Sequence, residues 1–343
     1  MTTPAQRHMP ARRAGSGLRR AGAALVAAAC CAAYAGPGAA AIEEFRIPGL
    51  LSAPDGLAAG PDGNLWFTAF AGNRIGRIGV DGRIEQYPVP TPASGPDAIA
   101  AGPDAALWFA EFTGNKIGRI GPDGRVAEYP VPTPAASPDC ITQGPDGALW
   151  FTEFTANRIG RINLAGRIAE FPIPSLLSEP DGLAAGPDGA LWFTEFVGNR
   201  IGRVTTAGVI TEYPVPTPVA GPVRITTGPD GALWFTEETG GKVGRITLDG
   251  AITEYALSNR LSQPLGIAPG PDGALWFTEL VGGKIGRITT DGHITEMPTP
   301  TPLSGPYPVV TGPDGNLWFA EFIAGRIGRL GVGGSYRSPY PSC

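Results

Sequence analysis

Two glutamates, Glu179 and Glu195, lie in a segment that begins Glu-Pro-Asp-Gly and ends Trp-Phe-Thr-Glu. Carboxylate oxygens are the ligands that Mg²⁺ and Ca²⁺ prefer in proteins. Asp181, inside the same segment, has the functional group of a general base. The pattern predicts a divalent-cation site at Glu179 and Glu195, with Mg²⁺ as the first candidate and Ca²⁺ as the alternative. The other interpretation is that both glutamates belong to a structural repeat.

A repeat is clear from the tryptophans, which all follow one another at intervals of 42 residues: Trp66, Trp108, Trp150, Trp192, Trp234, Trp276 and Trp318. A fixed period near 40 residues indicates a repeat architecture. Each unit holds four short apolar or alternating runs, separated by Gly-Pro-Asp-Gly and other turn residues. Seven units of four strands predict an all-β fold, a seven-bladed β-propeller.

The two ends of the repeat predict how the ring closes. The last unit loses the pattern after its third run, and residues 42–48, Ile-Glu-Glu-Phe-Arg-Ile-Pro, match the missing fourth run. Phe45 is in phase with Tyr87 and its equivalents in the later units. We therefore expect the N-terminal segment to form the outer strand of the last blade and to cover an exposed sheet edge.

Residues that recur in every unit are most simply structural. The tryptophans are expected in the core between blades, and the Asp of each Gly-Pro-Asp is expected to be a turn residue. The Arg of each "IGR" run is expected to pair with a neighbouring blade. This last set contains Arg77, Arg119, Arg161, Arg203, Arg245, Arg287 and Arg329.

Function is expected where the copies differ. The residue after the Pro that opens each unit is, in order, Asp55, Asp97, Asp139, Asp181, Val223, Leu265 and Tyr307. First strands line the channel of a propeller, so these side chains should meet at one mouth. Crowded acids need a cation, a proton or water around them. We identify Asp97, Asp139 and Arg224 as candidate substrate-binding residues, and we expect a small-molecule ligand at this mouth.

The repeat resembles that of the streptogramin lyase (virginiamycin B lyase) family, as in "GPDGALWFTEFTANRIGRI" at residues 145–163. The resemblance covers residues 42–330. It implies a Mg²⁺ held by two glutamates, which match Glu179 and Glu195 in type and spacing. It also implies a histidine base at the position of Asp181 and a substrate-contacting histidine at that of Asp139. The implied reaction is an elimination that opens a cyclic depsipeptide at its ester.

Aspartates occupy both positions where the resemblance implies histidine. The two histidines of the chain, His8 and His293, lie in the N-terminal segment and in a predicted fourth strand. An unperturbed Asp, with a pKa of about 3.9, is a poorer base than His at neutral pH. Three functions stay open: a Mg²⁺-dependent C–O lyase with Asp181 as its catalytic residue, a non-catalytic ligand- or metal-binding propeller, and another metal-dependent enzyme such as a lactonase.

The N-terminal residues 1–41 differ from the repeat. They hold five arginines, no acid and an Ala-rich apolar stretch that ends in small residues, a pattern typical of an export signal. We expect residues 1–41 to be removed, 42–335 to form the propeller and 336–343 to form a C-terminal tail. The protein is then periplasmic or secreted, and a lipid anchor at Cys30 is the less favoured alternative. The apolar stretch is short for a membrane span.

Charge and cysteine content limit the partners. Without the five N-terminal arginines, 21 basic residues face 31 acidic ones, a net charge of −10. This charge excludes nucleic acid as a partner, and we expect a monomer. Cys140 and Cys343 remain in the exported chain, either as a disulfide or as two thiols.

Overall fold

The computed structural model describes residues 42–49 and 52–332. The predicted export signal at 1–41, the lipid-anchor alternative at Cys30, the tail at 336–343 and Cys343 lie outside these residues. Within them the chain forms 28 strands in seven four-stranded antiparallel sheets. This confirms the seven-bladed β-propeller.

The inner strands are β2 (Pro54–Ala59), β6 (Pro96–Ala101), β10 (Pro138–Gln143), β14 (Pro180–Ala185), β18 (Pro222–Thr227), β22 (Pro264–Pro269) and β26 (Pro306–Thr311). The second strands are β3 (Leu65–Ala69), β7 (Leu107–Glu111), β11 (Leu149–Glu153), β15 (Ala190–Glu195), β19 (Leu233–Glu237), β23 (Leu275–Glu279) and β27 (Leu317–Glu321). The third strands are β4 (Arg74–Ile78), β8 (Lys116–Ile120), β12 (Arg158–Ile162), β16 (Arg200–Thr205), β20 (Lys242–Ile246), β24 (Lys284–Ile288) and β28 (Arg326–Leu330). The outer strands are β5 (Ile84–Pro88), β9 (Val126–Pro130), β13 (Ile168–Pro172), β17 (Ile210–Pro214), β21 (Ile252–Ala256), β25 (Ile294–Pro298) and β1 (Ile42–Arg46).

The ring closes as predicted. β1 pairs antiparallel with β28, with Ile42 opposite Leu330 and Arg46 opposite Arg326. The inner strand β26 of the last blade contacts β2 of the first. Phe45 stacks on Trp318 with ring centroids 5.7 Å apart, as Tyr87 stacks on Trp66 in the first blade. The N-terminal strand therefore replaces a fourth strand in position and in packing.

The core lies between the blades, where we expected the tryptophans. Trp108, for example, is fully buried and packs with Ile141, Leu149 and Phe151 of the next blade. Alternate residues of each second strand face opposite neighbours, which is why the run Leu-Trp-Phe is buried on both sides. No described residue belongs to a helix long and apolar enough to cross a membrane.

The repeated arginines do not pair as expected in six blades, whereas in the last blade Arg329 donates to the Val80 carbonyl of the neighbouring first blade at 2.8 Å. In the third blade Arg161 Nε contacts Asp146 Oδ2 at 2.6 Å, and Asp146 Oδ1 accepts from Trp150 Nε1 at 3.0 Å. Both partners belong to the same blade, so the expected pairing between neighbouring blades is wrong here and in five other blades. Partial burial alone would raise the pKa of Asp146, but the bonds from Trp150 and Arg161 hold that pKa below its usual value. The Gly-Pro-Asp aspartates are thus turn residues that also anchor the tryptophan.

Candidate functional site

The mouth of the channel is built from the starts of the inner strands. Pro180 pairs with Glu195 of the second strand, and the register then shifts before Leu183. Such an irregularity changes the direction of the residues between the paired positions, which here are Asp181 and Gly182. It recurs in all seven blades. Equivalent side chains from every blade are therefore presented at one level of the channel.

Threonines of the second strands hold neighbouring inner strands together at this level. Thr194 Oγ1 accepts from the Gly182 backbone N–H at 2.8 Å and donates to the Val223 carbonyl of the next blade at 2.6 Å. Thr152 donates in the same way to the Asp181 carbonyl at 2.8 Å. These bonds fix the backbone on both sides of Asp181.

Glycine is required at position 182 by this close approach. A Cβ added to Gly182 would lie 2.4 Å from the carbonyl oxygen of Val223. Five of the equivalent positions in the other blades hold Gly, Ala, Cys or Pro, and the remaining one holds Arg224. A long charged side chain in a column of small residues is the sequence signal that marks Arg224.

Arg224 reaches across the mouth and binds aspartates from three other blades. Its guanidinium donates to Asp181 Oδ1, lies 3.2 Å from Asp139 Oδ1 and lies 3.8 Å from Asp97 Oδ1. On another side the guanidinium carbon lies 5.3 Å from the centre of the Tyr307 ring, within the range of a cation–π contact. The structure thus brings together all three predicted substrate-binding residues and the predicted base.

This cluster is buried, which determines its chemistry. The side chains of Arg224, Asp97, Asp139 and Asp181 are each exposed by 8 % or less. Removing charges from water is costly unless they are paired and hydrogen-bonded. The cation that these acids share is therefore an arginine of the chain itself, whose single positive charge faces three carboxylates. Asp55, equivalent to the three aspartates in the first blade, is buried at the same level.

The other side of the mouth is apolar. Val223, Leu265 and Tyr307 occupy the aspartate position in blades five to seven and form one buried cluster with Leu280. Phe196 packs against this cluster. The mouth therefore has a charged half on blades two to five and an apolar half on blades five to seven.

Exposed aliphatic residues occur in the loops that enter the inner strands of blades four to seven. The equivalent position is alanine in blades two and three and Leu51, outside the described residues, in the first blade. The exposed set, which recurs every 42 residues, is Leu177, Val219, Leu261 and Leu303. Their exposed fractions lie between 60 % and 79 %. We call these four residues the aliphatic rim.

Three residues of the aliphatic rim have strained backbones. Leu177, Val219 and Leu303 have φ of 56°, 54° and 55°, a region that L-residues with large or branched side chains avoid. Such a conformation costs about 1–3 kcal/mol, and an exposed side chain gains little packing to offset it. Ala93 and Ala135 have φ of 50° and 53° at the equivalent positions, so the conformation belongs to the repeated turn and is not special to the rim.

The two predicted metal ligands, Glu179 and Glu195, lie in different surroundings. Glu179 has φ of 50°, and its Oε2 is buried with no hydrogen-bond partner, as a ligand awaiting a cation would be. Glu195 is fully buried, and its described neighbours are Ser178, Glu212 and Arg200. Burial raises the pKa of Glu195 to about 7.

The position of Glu195 is not special to this blade. Equivalent buried glutamates occur in five other blades, none of which has an acid at the position of Glu179. Within residues 42–49 and 52–332, no group of three or more His, Cys, Asp or Glu side chains is arranged to hold a metal ion. Glu179 and Glu195 would therefore supply two carboxylates, and water or a bound molecule would have to complete the coordination of a Mg²⁺. Metal binding at Glu179 and Glu195 stays a prediction.

The fold and the site define a seven-bladed propeller whose channel mouth is half ionic and half apolar. The sequence profile of the virginiamycin B lyase family matches residues 37–180 and 138–340, and the chain belongs to this family. A comparison with curated protein sequences found no match.

Solved structures agree with this assignment. Virginiamycin B lyase from Staphylococcus aureus is 41 % identical, with a TM-score of 0.82 over 85 % of this chain and 99 % of that chain. A streptogramin B lyase is 40 % identical, with a TM-score of 0.81 over 85 % of this chain and 97 % of that chain. A catalytically inactive variant of the S. aureus enzyme, solved with quinupristin, is 40 % identical, with a TM-score of 0.82 over 85 % and 99 %.

Proposed function

We propose that this protein is an exported member of the family that binds a bulky, largely apolar small molecule at the channel mouth without opening it by elimination. The observation that carries the proposal is the buried pairing of Asp181 with Arg224. Export is inferred from the composition of residues 1–41, and the mass of the native chain tests it.

An elimination needs a group that takes a proton next to a carbonyl. Asp181 occupies the position where the family resemblance implies a histidine base. Its Oδ1 accepts a charge-assisted hydrogen bond from Arg224. Taking a proton from a substrate would break this ion pair in a buried site. Asp181 is therefore better suited to holding Arg224 than to catalysing proton transfer.

The shape and chemistry of the mouth suit an amphipathic ligand. The apolar half is formed by Val223, Leu265 and Tyr307, and the exposed aliphatic rim lies in the loops that enter the inner strands of blades four to seven. Covering a leucine or valine side chain contributes about 1.5–3 kcal/mol when burial is complete. The charged half supplies carboxylates and a guanidinium for polar groups of the ligand. Because the S. aureus relative was solved with quinupristin, this antibiotic is the first probe to use.

The expected result with quinupristin is binding without turnover. Calorimetry should give a measurable Kd, and mass spectrometry after incubation with Mg²⁺ should find the antibiotic intact. Turnover to a product with a new double bond and no added water, lost in Asp181→Asn, would overturn the proposal and make Asp181 a catalytic base. Absence of binding would also contradict it for this ligand class.

The aliphatic rim provides a matched control. Leu261→Ser should weaken quinupristin binding about tenfold, because one apolar contact of about 1.4 kcal/mol is lost. Ala135→Ser, at the equivalent position in an early blade, should leave the Kd unchanged. Equal effects of the two substitutions would remove the rim from the binding surface.

A lyase that retains the family's metal is the second candidate, favoured by the unpartnered buried oxygen of Glu179. When bound, a Mg²⁺ would stabilise negative charge that develops on a carbonyl oxygen. Titration with Mg²⁺ and with Ca²⁺ by calorimetry tests the pair directly. We expect any binding with a Kd below millimolar to disappear in the double variant Glu179→Gln with Glu195→Gln. Binding that persists in this variant would place the cation elsewhere.

A further inference from the structure

Four buried glutamates take no part in the Arg224 cluster. They end the second strands of blades two, three, five and six: Glu111, Glu153, Glu237 and Glu279. All four are fully buried, and neither carboxyl oxygen of Glu153 or Glu237 has a hydrogen-bond partner among donor groups. An ionised carboxylate in such a place carries a large desolvation cost.

Each buried glutamate has a second glutamate near it on the outer strand of its own blade. The carboxyl groups are within hydrogen-bonding reach in two blades, in the pairs Glu153 with Glu170 and Glu237 with Glu254. In the other two blades Glu128 and Glu296 act on Glu111 and Glu279 through their charge. Two carboxylates cannot hydrogen-bond to each other, because neither has a proton to donate. A carboxylic acid and a carboxylate can do so.

The outer glutamate of each pair is already hydrogen-bonded as a carboxylate. Glu128 accepts from the backbone N–H and the hydroxyl of Thr91, both at 2.8 Å, and from Lys116 Nζ at 2.8 Å. Glu254 accepts in the same way from Thr217 and from Lys242. Partial burial alone would raise the pKa of Glu128, but these bonds hold that pKa below its usual value. The proton of the pair therefore belongs to the inner glutamate.

The first blade shows what happens when the pair is absent. The inner position is Ala69 and the outer position is Gln86, so both acids are missing together. The amide of Gln86 donates instead to the carbonyl of Pro48 at 2.8 Å. Both acids are absent from the same blade, as expected if each acid stabilises the blade only when the other is present.

We propose that blades three and five each join their second strand to their outer strand by one proton shared between two glutamates, and that alkaline pH weakens the ring by removing these protons. The proposal is independent of ligand binding at the channel mouth. It concerns the stability of the ring and the contact between strands in these two blades.

The groups around the pairs set the pH at which the protons leave. Burial and the facing Glu170 raise the pKa of Glu153 to about 8, opposed by Arg158. Burial and Glu254 likewise raise the pKa of Glu237 to about 8, opposed by Lys242.

Serine hydroxyls moderate the effect in the other two blades. Burial and Glu128 raise the pKa of Glu111 to about 7, opposed by Lys116 and the hydroxyl of Ser94. The pKa of Glu279 is also raised by burial and by Glu296, with Ser262 and Lys284 opposing. Blades three and five have Ala136 and Ala220 at the serine position.

The direction of the pH dependence follows from linkage. In the unfolded chain a glutamate has a pKa of about 4.3, so between that value and about 8 the folded ring binds more protons than the unfolded chain. The stability that each pair contributes is complete below about pH 4 and is lost as the pH rises toward the folded-state pKa.

The test compares thermal unfolding of the full chain at about pH 6 and about pH 9, on either side of the raised pKa values. The wild-type midpoint should fall across this range. In Glu153→Gln and in Glu237→Gln the fall should be smaller, because the amide keeps a donor for the outer glutamate and cannot ionise. The control is Glu85→Gln, which changes an exposed outer-strand glutamate of the first blade. Its unfolding midpoint should fall as much as that of the wild type.

A second measurement needs no variant. The infrared carbonyl band of protonated carboxyl groups should be present at about pH 6, where exposed glutamates are ionised, and should disappear on titration to about pH 9. Its absence at the lower pH would overturn the proposal. So would an unchanged pH dependence of the unfolding midpoint in both glutamine variants.

Discussion

Replacing Arg224 with methionine is expected to lower the free energy of unfolding by about 3–5 kcal/mol at neutral pH, the range found when one partner of a buried ion pair is removed. Methionine fills much of the same volume but leaves Asp97, Asp139 and Asp181 without the guanidinium that contacts all three. The three carboxylates are then buried near one another with no cation supplied by Arg224. Guanidinium chloride unfolding of wild type and variant measures the difference.

Two controls separate lost charge from lost packing. Arg224→Met should regain stability as the pH falls, because protonation relieves the repulsion among the carboxylates. Adding Asp181→Asn and Asp139→Asn to Arg224→Met should restore part of the loss at neutral pH. A loss below about 1 kcal/mol in Arg224→Met, within the range of exposed pairs, would show that the cluster is solvated and that Asp181 is not held as an ion-pair partner.

The fold was predictable from sequence because the same pattern occurs in seven units and each unit supports the same conclusion. The tryptophan spacing counts the blades, and the missing fourth run in the last unit identifies β1 as the closing strand. Hydrophobic and turn patterns are local, so one sequence is enough to interpret them.

The partners within the site were harder to predict. Each of the seven aspartate–arginine pairs lies within its own blade, because the turn before the second strand and the third strand meet beside the second strand. Spacing alone does not distinguish this geometry from contact between blades. Arg224 pairs with Asp139 across 85 positions of sequence. The acids at the mouth could be recognised in the sequence because they depart from the repeat. The pairing of Arg224 with these acids depends on the direction of its side chain inside the channel, which the sequence does not give.

Deleting residues 42–48 is expected to destabilise the whole ring, by about 5 kcal/mol or more, a large share of the stability of an ordinary domain. The deletion removes the stacking of Phe45 on Trp318 and the buried Ile47. It also removes Glu44, which accepts from the backbone and hydroxyl of Thr301 and from Arg326. The third strand β28 would be left as an unpaired edge, which favours aggregation. Thermal unfolding followed by near-ultraviolet circular dichroism measures the loss.

A permuted chain gives this deletion its control. In the sixth blade, Ile288 pairs with Ile294 across a five-residue turn, and Leu330 pairs with Ile42 at the equivalent position of the last blade. Moving residues 42–48 to follow Leu330 through a copy of the turn 289–293 should therefore rebuild the same hairpin. We expect this permuted chain to unfold near the wild-type midpoint, because every contact of β1 is kept and only the connection changes. If the permuted chain is as unstable as the deletion, the N-terminal segment stabilises the ring through its position in the chain, and the closing-strand interpretation fails. If the deletion alone unfolds like the wild type, β1 contributes too little for closure to depend on it.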